Sequence, residues 1–324
     1  MKAIQIEQYG GPEVLQLVEL EKPTPHGYEV LIEVKAIGVN YADTARREGA
    51  YVLPTPLPFI PGAEVAGVVV AVGDKVKNVA IGSRVVTLIS QNGYAEYAIA
   101  DSRFLIPVPE DTSFETAVAI PLQGLSAYHV IKTMGQFIEG ESILIHASAG
   151  GVGSLAVQLA RIWKADKIIA TASSSEKLSL AMELGATHGV DYTKSDWEKE
   201  VLQITEGRGV DVALEMVGGE VFYKTLKCLA PFGRLVIYGV ASGEQARFYP
   251  SSLMAKNQSV VGFFLPQIMK KQQLFQSSLQ ELLQFVASGE LKVTIGGTYS
   301  LSEAMTAHRL LQSRQTKGKL VLIP

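Results

Sequence analysis

The first third of the chain alternates. Val30–Ile37 reads Val-Leu-Ile-Glu-Val-Lys-Ala-Ile, a period near two that marks a half-buried strand. Val65–Val72 follows as a second strand, and turns at Gly73-Asp74 and Gly82-Ser83 lead to a third over Arg84–Ile89. Asn92-Gly93 lies between that strand and Tyr94–Ala100, which predicts a hairpin. Short strands with regular turns predict a compact antiparallel barrel over residues 1–120.

Near residue 120 the rhythm changes. Over residues 121–264 apolar strands at Ser142–Ala147, Lys167–Ala172, Asp211–Glu215 and Arg234–Tyr238 alternate with helical stretches at Ser154–Trp163 and Glu176–Leu184. Continuous apolar strands separated by helices predict a parallel sheet covered on both faces. Gln272–Ser288 reads as a further helix, and the closing Lys-Leu-Val-Leu-Ile-Pro from Lys319 reads as a strand. Because the parallel repeat has then ended, residues 265–324 are expected to return to the first domain. The fold class is α/β: a barrel domain plus a doubly wound parallel sheet.

Composition narrows the function. A length of 324 residues suggests about two domains, and 47% apolar with 19% charged residues supports buried cores. Lys plus Arg is 29 against 32 for Asp plus Glu, so no basic excess points to nucleic acid. The single cysteine, Cys228, excludes an internal disulfide framework and a multi-thiolate metal site, and reads as a small buried residue. The histidines at 26, 129, 146, 188 and 308 form no i,i+4 ligand pair, so no metal site is expected. The N-terminus lacks the apolar core of a signal peptide. The longest apolar run, Ala63–Val72, contains Glu64 and Gly67 and is too short to span a bilayer. A cytoplasmic protein without membrane attachment is the expectation.

The strongest chemical signal is a dinucleotide site. Ile143–Gly153 runs strand, small-residue turn, helix. It departs from strict GxGxxG and fits AxxGxxG with Ala147, Gly150 and Gly153. Small residues let the backbone approach a pyrophosphate whose charge sits at the helix N-terminus. An NAD site usually has an acid about 20 residues on, at the end of the next strand, to hold the ribose 2′-OH. Here that place reads Thr171-Ala-Ser-Ser-Ser175, without an acid. Glu176 reads instead as the partner of Ser173 in a capping box. Lys177 suits a 2′-phosphate, or is a solvated helix residue; NADPH is the favoured cofactor.

With these motifs in hand, the chain resembles the zinc-free quinone oxidoreductases (zeta-crystallin-like) of the medium-chain dehydrogenase/reductase superfamily. The resemblance is carried by Gly140–Arg161, Gly38–Asp43, Pro61–Gly67 and Gln123–Tyr128, and it covers nearly the whole chain. It implies a GroES-like barrel plus a Rossmann domain. It places the pyrophosphate at Ala149, Gly150, Gly151 and Val152, and the 2′-phosphate at Ser173, Lys177 and Tyr192. It places the nicotinamide side at Ser126, Val217, Gly239, Val240, Ala241, Phe263, Phe264 and Leu265. Tyr51 matches a cleft tyrosine that meets cofactor and substrate, while a second tyrosine of some members falls at Ala45. Zinc-dependent relatives carry Cys where this chain has Asn40 and His where it has Ala63. Glu64 remains, and one carboxylate cannot hold a catalytic zinc; its structural reading is a buried ion pair.

The resemblance implies metal-free hydride transfer from NADPH to a quinone, with Tyr51 or Asn40 hydrogen-bonding the acceptor oxygen. Asn40 and Asp43 read equally as the N-cap and first-turn acid of a short helix. Phe263 and Phe264 read equally as core. The same chemistry on an enone, alkenal or enoyl thioester stays open, as does an NADPH-binding structural or regulatory protein with little turnover. A thioester partner would favour a basic rim, for which Arg46, Arg47, Lys270 and Lys271 are the candidates. Gln258–Leu265 is a candidate edge strand for a homodimer.

Overall fold

The computed structural model describes all of residues 1–324. Strands β1 (Lys2–Gln5) and β2 (Gln16–Glu19) pair antiparallel. They are followed by β3 (Glu29–Val39), helix α1 (Tyr41–Arg47), β4 (Glu64–Val72), β5 (Arg84–Leu88), β6 (Tyr97–Asp101), β7 (Ile106–Pro107) and α2 (Phe114–Val118). β3 alternates less than its sequence suggests: Val30, Leu31 and Ile32 are all buried. The reason is that β3 pairs along its length with β4 on one side, and with β6 over Glu29–Glu33 on the other.

The Asn92-Gly93 hairpin does not form. β5 pairs with β4 and β7, and β6 pairs with β3. Asn92 does turn the chain, at φ 70°, but its N–H donates to Ile60 O at 2.9 Å and the Gly93 N–H to Gly62 O at 3.1 Å. A Cβ at Gly93 would lie 2.8 Å from Gly62 O, so the glycine serves this close approach and not a two-residue hairpin.

The second region opens with α3 (Pro121–His129). It continues with β8 (Ile143–Ile145), α4 (Gly151–Ile162), β9 (Ile168–Ala172), α5 (Ser175–Glu183), β10 (His188–Asp191) and α6 (Trp197–Ile204). Then come β11 (Val210–Glu215), α7 (Gly219–Lys227), β12 (Leu229–Ile237), β13 (Ser259–Gly262), α8 (Leu265–Met269) and α9 (Gln272–Ala287). The six strands form one parallel sheet in the order β10-β9-β8-β11-β12-β13. The order reverses between β8 and β11. In open α/β sheets such a switch point, at the carboxyl ends of the strands, is where ligands bind.

β14 (Ile295–Ser300), α10 (Ala304–Gln312) and β15 (Lys319–Ile323) close the chain. β15 pairs antiparallel with β3 and parallel with β14. The chain thus forms two units, residues 1–122 with 293–324, and residues 123–292. The return starts later than residue 265. α9 buries Phe275, Ser278, Leu279 and Leu282, spaced as one helix face, within the second unit. There Tyr128 donates to Glu281 at 2.7 Å and Ser278 meets His129 Nε2 at 3.0 Å. No helix is long and apolar enough to cross a membrane.

Candidate functional site

In the second unit, the turn after β8 is built for close approach. Ala147 is left-handed at φ 49°, and the Gly150 N–H donates back to its carbonyl at 2.8 Å. A Cβ at Gly153 would lie 2.2 Å from Ala147 O, and one at Gly151 would lie 2.1 Å from the Gln123 amide oxygen. A Cβ at Gly150 meets only Ala147 O, at 3.2 Å, so its face is open. Gly150 is the N-cap of α4, whose first-turn N–H groups point outward beyond Ala149, Gly151 and Val152. Twelve helical residues stand behind them, which favours a negative charge. Their glycine cradle at the switch point fits a pyrophosphate. Ser126 is buried at 6% on α3, the helix that also carries Gln123.

The candidate 2′-phosphate residues come together at the neighbouring strand ends. Ala172 on β9 is in register with Asp191 on β10, and the Tyr192 N–H donates to Ala172 O at 3.2 Å. Ser173 follows Ala172 directly, and Lys177 lies half-buried in the first turn of α5. The N-cap falls one residue later than the expected capping box. Ser174 is the N-cap, its hydroxyl accepting the Lys177 N–H at 3.4 Å. Ser173 is thereby left outside the cap. No carboxylate ends β9.

The nicotinamide-side candidates occupy the next three strand ends. Glu215, the last residue of β11, is buried and accepts the N–H groups of Val217 at 2.7 Å and Gly218 at 2.9 Å. Burial raises the pKa of Glu215. The following loops lie side by side: the Ala241 N–H donates to Met216 O at 2.8 Å, and the Ser242 N–H to Val217 O at 2.9 Å. That puts Gly239, Val240 and Ala241 beside Val217. The Phe263 N–H donates to Ile237 O at 2.8 Å, which ties the end of β13 to that of β12. Phe263 and Phe264 are half-buried and Leu265 is buried, so the two aromatic rings are not pure core. Phe263 stacks on His129 with centroids 6.5 Å apart.

In the first unit, Asn40 and Glu64 belong to a buried triad that sequence reading did not complete. Lys319 of β15 donates to Asn40 Oδ1 at 2.8 Å and to Glu64 Oε1. Asn40 Nδ2 donates to Glu64 Oε1 at 2.8 Å and to Gly38 O at 3.2 Å. Glu64 Oε2 accepts the Leu122 N–H at 3.0 Å. Exposures of 3% for Asn40, 0% for Glu64 and 1% for Lys319 make this an internal structure. Both amide hydrogens of Asn40 are spent on it. Asn40 therefore holds the frame and does not donate to an acceptor oxygen, which corrects that half of the expectation. The signal for the missing partner was a lysine in an otherwise apolar strand, matching the acid in Glu64–Val72.

Asp43 joins a second buried chain. Its carboxylate accepts the Asn40 N–H at 2.9 Å, as a first-turn acid, and the Gly62 N–H at 3.3 Å. Arg47 Nη1 lies 3.1 Å from His308 Nδ1; a guanidinium only donates, so Nδ1 accepts and Nε2 carries the hydrogen. Nε2–H then donates to Tyr94 Oη at 3.0 Å, and the Tyr94 hydroxyl donates to Asp43 Oδ2 at 3.3 Å. Burial, with Arg47 beside it, holds the His308 pKa down at about 3, so the ring is neutral. Burial pushes Asp43 up to about 6. Arg47 is fully buried and supplies no rim charge.

Tyr51 is half-buried, and burial raises its pKa while Arg46 pulls it down. The Arg46 guanidinium carbon sits 4.4 Å from the Tyr51 ring centroid and 5.4 Å from that of Phe59. A phenol held above its ordinary value stays protonated at neutral pH and is a hydrogen-bond donor. No three His, Cys, Asp or Glu side chains gather to hold a metal. Cys228 is buried, and burial pushes its thiol up to about 12.

Residues 26–110 match the alcohol dehydrogenase GroES-like domain, and residues 151–288 match the zinc-binding dehydrogenase family. A quinone oxidoreductase of Pseudomonas aeruginosa is 35% identical over 100% of this chain and 99% of its own length. The crystal structure of a Pseudomonas syringae quinone oxidoreductase superposes with a TM-score of 0.93 at 38% identity, covering 100% and 99% of the two chains. The Escherichia coli quinone oxidoreductase complexed with NADPH superposes with a TM-score of 0.94 at 34% identity over 100% of both chains. The GroES-like and parallel-sheet architecture, the AxxGxxG turn and these full-length likenesses agree, and the chain belongs to the zinc-free, zeta-crystallin-like quinone oxidoreductase family of the medium-chain dehydrogenase/reductase superfamily.

Proposed function

We propose that the protein is an NADPH-dependent quinone oxidoreductase. One observation supports the cofactor choice: β9 ends at Ala172 without a carboxylate, with Ser173 next in the chain and the Tyr192 N–H bonded to Ala172 O. When bound, the reduced nicotinamide supplies a hydride. The protein's residues bind and orient. Ala149–Val152 at the α4 N-terminus take the pyrophosphate, and Lys177 with Ser173 and Tyr192 takes the 2′-phosphate. Val217, Gly239–Ala241, Phe263–Leu265 and Ser126 line the nicotinamide side. Tyr51, protonated at neutral pH, donates a hydrogen bond to the acceptor oxygen as negative charge develops there. The balance is quinone plus NADPH plus a proton giving quinol plus NADP+, the first proton coming from Tyr51 or from water. Asn40 is a positioning residue.

The test is steady-state turnover with NADPH and NADH across quinones, enals and enoyl thioesters. NADPH with quinones should give the highest kcat/KM, and Lys177→Ala should lose most of the preference over NADH, roughly tenfold. Equal use of both cofactors by the native chain would refute the cofactor assignment. Enal or thioester turnover exceeding that of quinones would replace the acceptor class.

The finer assignments are a homodimer and a cytoplasmic location. β13 pairs only with β12, leaving its other edge free to meet a second copy antiparallel across a two-fold axis. Val261→Lys should weaken that dimer, and a solution mass near 34.9 kDa for the native chain would refute it. The single buried thiol suits a reducing compartment, which localisation of a tagged chain in cells would test.

A further inference from the structure

Arg46 is the penultimate residue of α1, next to the buried Arg47, and unlike Arg47, Arg84 and Arg103 it forms no ion pair. Arg47 pairs with Glu48, Arg84 reaches Glu110 and Arg103 pairs with Asp101. Arg314 has an interaction of its own. Arg46 has no carboxylate within ion-pair distance. Glu48, the nearest acid along the chain, is taken by Arg47 and by Gln312 Nε2, the latter at 2.6 Å. Arg46 is held by Tyr51, whose ring centroid lies 4.4 Å away and whose hydroxyl it hydrogen-bonds, and by the buried Phe59 at 5.4 Å. A guanidinium carries five N–H donors, and with one given to the Tyr51 hydroxyl the rest can meet an oxyanion with charge-assisted hydrogen bonds.

We infer that Arg46 makes the site selective for acceptors that carry an oxyanion, a carboxylate or sulfonate, on or beside the reducible ring. The inference rests on the reading of Tyr51 as the residue that meets the acceptor. Tyr51 donates to the ring oxygen while Arg46 takes the acidic substituent. The same guanidinium also lies close enough to Tyr51 to lower its pKa, favouring the phenol as proton donor.

The test uses the intact protein, NADPH, and two acceptors that differ only in charge: a naphthoquinone and the same naphthoquinone bearing a ring sulfonate. The readout is the kcat/KM ratio of the sulfonated to the neutral compound, in which any general damage to Tyr51 cancels. Arg46→Gln should lower the ratio about tenfold at low salt. Arg46→Lys, which keeps the charge but loses the planar fork, should fall between, and Arg46→Glu should lower it furthest. Raising the ionic strength should lower the native ratio and leave that of Arg46→Gln nearly flat. A ratio in Arg46→Gln within twofold of native overturns the inference. Kd for the sulfonated naphthoquinone, titrated into the NADP+-loaded protein, separates the two readings. If neither quinone is turned over, the quinone assignment fails. Tenfold weaker binding to Arg46→Gln would still sustain the anion site, and equal binding would overturn it.

Discussion

In the first unit the buried polar side chains are an acid and two bases, Glu64, Lys319 and Arg47, whereas the buried histidines of the second are neutral and bonded to hydroxyls. Thr225 spends its one hydrogen on Val221 O at 2.7 Å, so it accepts from His146 Nε2, also at 2.7 Å. The Thr171 hydroxyl then donates to His146 Nδ1 at 2.9 Å. His129 repeats the scheme with Ser278 on Nε2 and Thr133 on Nδ1. The partners also differ in origin. Charges in the first unit are met by Lys319 and His308, from the closing segment, so its early strands depend on the chain's end. Residues 293–324 are thus fixed by compensating charge as well as by the β15–β3 pairing.

The sharpest way to break this contrast is Lys319→Met. It leaves the fully buried Glu64 without its cation, and removing one partner of a buried pair costs about 3–5 kcal/mol. Adding Glu64→Gln removes the orphaned charge and should return much of that loss. Both tryptophans, Trp163 and Trp197, lie in the second unit, so their fluorescence follows that unit while hydrogen exchange follows the first. A Lys319→Met protein that loses less than about 1 kcal/mol would show that the charges are dispensable.

Next in size is a pH effect of opposite sign at His146 in the second unit and Asp43 in the first. Burial holds His146 down at about 4 from an ordinary value of 6.5. Its contribution is complete above 6.5 and is lost as the pH falls towards 4, about 3 kcal/mol in all. Asp43 is raised from 3.8 to about 6, so its contribution is complete below 3.8 and is lost as the pH rises through 6, again about 3 kcal/mol. His308, held at about 3, loses its contribution as the pH falls and so opposes Asp43 within the first unit. His146→Gln should flatten the acid limb of denaturant stability between pH 6.5 and 4, and Asp43→Asn should flatten the opposing rise. Matching pH profiles for both variants would remove the distinction.

These networks also mark where sequence reading stops. The alternation of the early strands, the apolar runs of the parallel sheet and the AxxGxxG turn are local patterns, and each is legible in a short window. The pairing of Glu64 with Lys319 spans 255 residues, and no local pattern names the partner. Gly93 shows a subtler limit. Its need for close approach to Gly62 produced the same dipeptide that signals a hairpin, so a tertiary contact was legible only as a turn. β10 (His188–Asp191) went unread because four residues without a clear period carry little signal, and its pairing to β9 defines it. Glu215 looked like the end of a strand, and its role became visible only when the loops of β11 and β12 were seen together.

The smallest effects test the contrast most directly, because two single hydroxyls can be removed from equivalent positions in the two networks. Tyr94→Phe deletes the donor to Asp43 and leaves His308 Nε2–H without an acceptor. Its partner is a carboxylate, and hydrogen bonds to charged groups contribute about 1.5–3 kcal/mol. Thr225→Val deletes the acceptor for His146 Nε2–H and the bond to Val221 O, but every group involved is neutral. A neutral bond contributes about 0.5–1.5 kcal/mol, and the isosteric valine preserves the packing. Tyr94→Phe should therefore cost roughly twice as much as Thr225→Val, read as shifts in urea midpoint at unchanged slope. The pH dependence should differ as well. Protonating Asp43 below about 6 turns its carboxylate neutral, so the cost of Tyr94→Phe should shrink between pH 7 and 5. The cost of Thr225→Val should stay constant over the same interval, because His146 titrates only near 4. Equal costs with equal pH dependence would mean that the two units bury polarity in the same way after all.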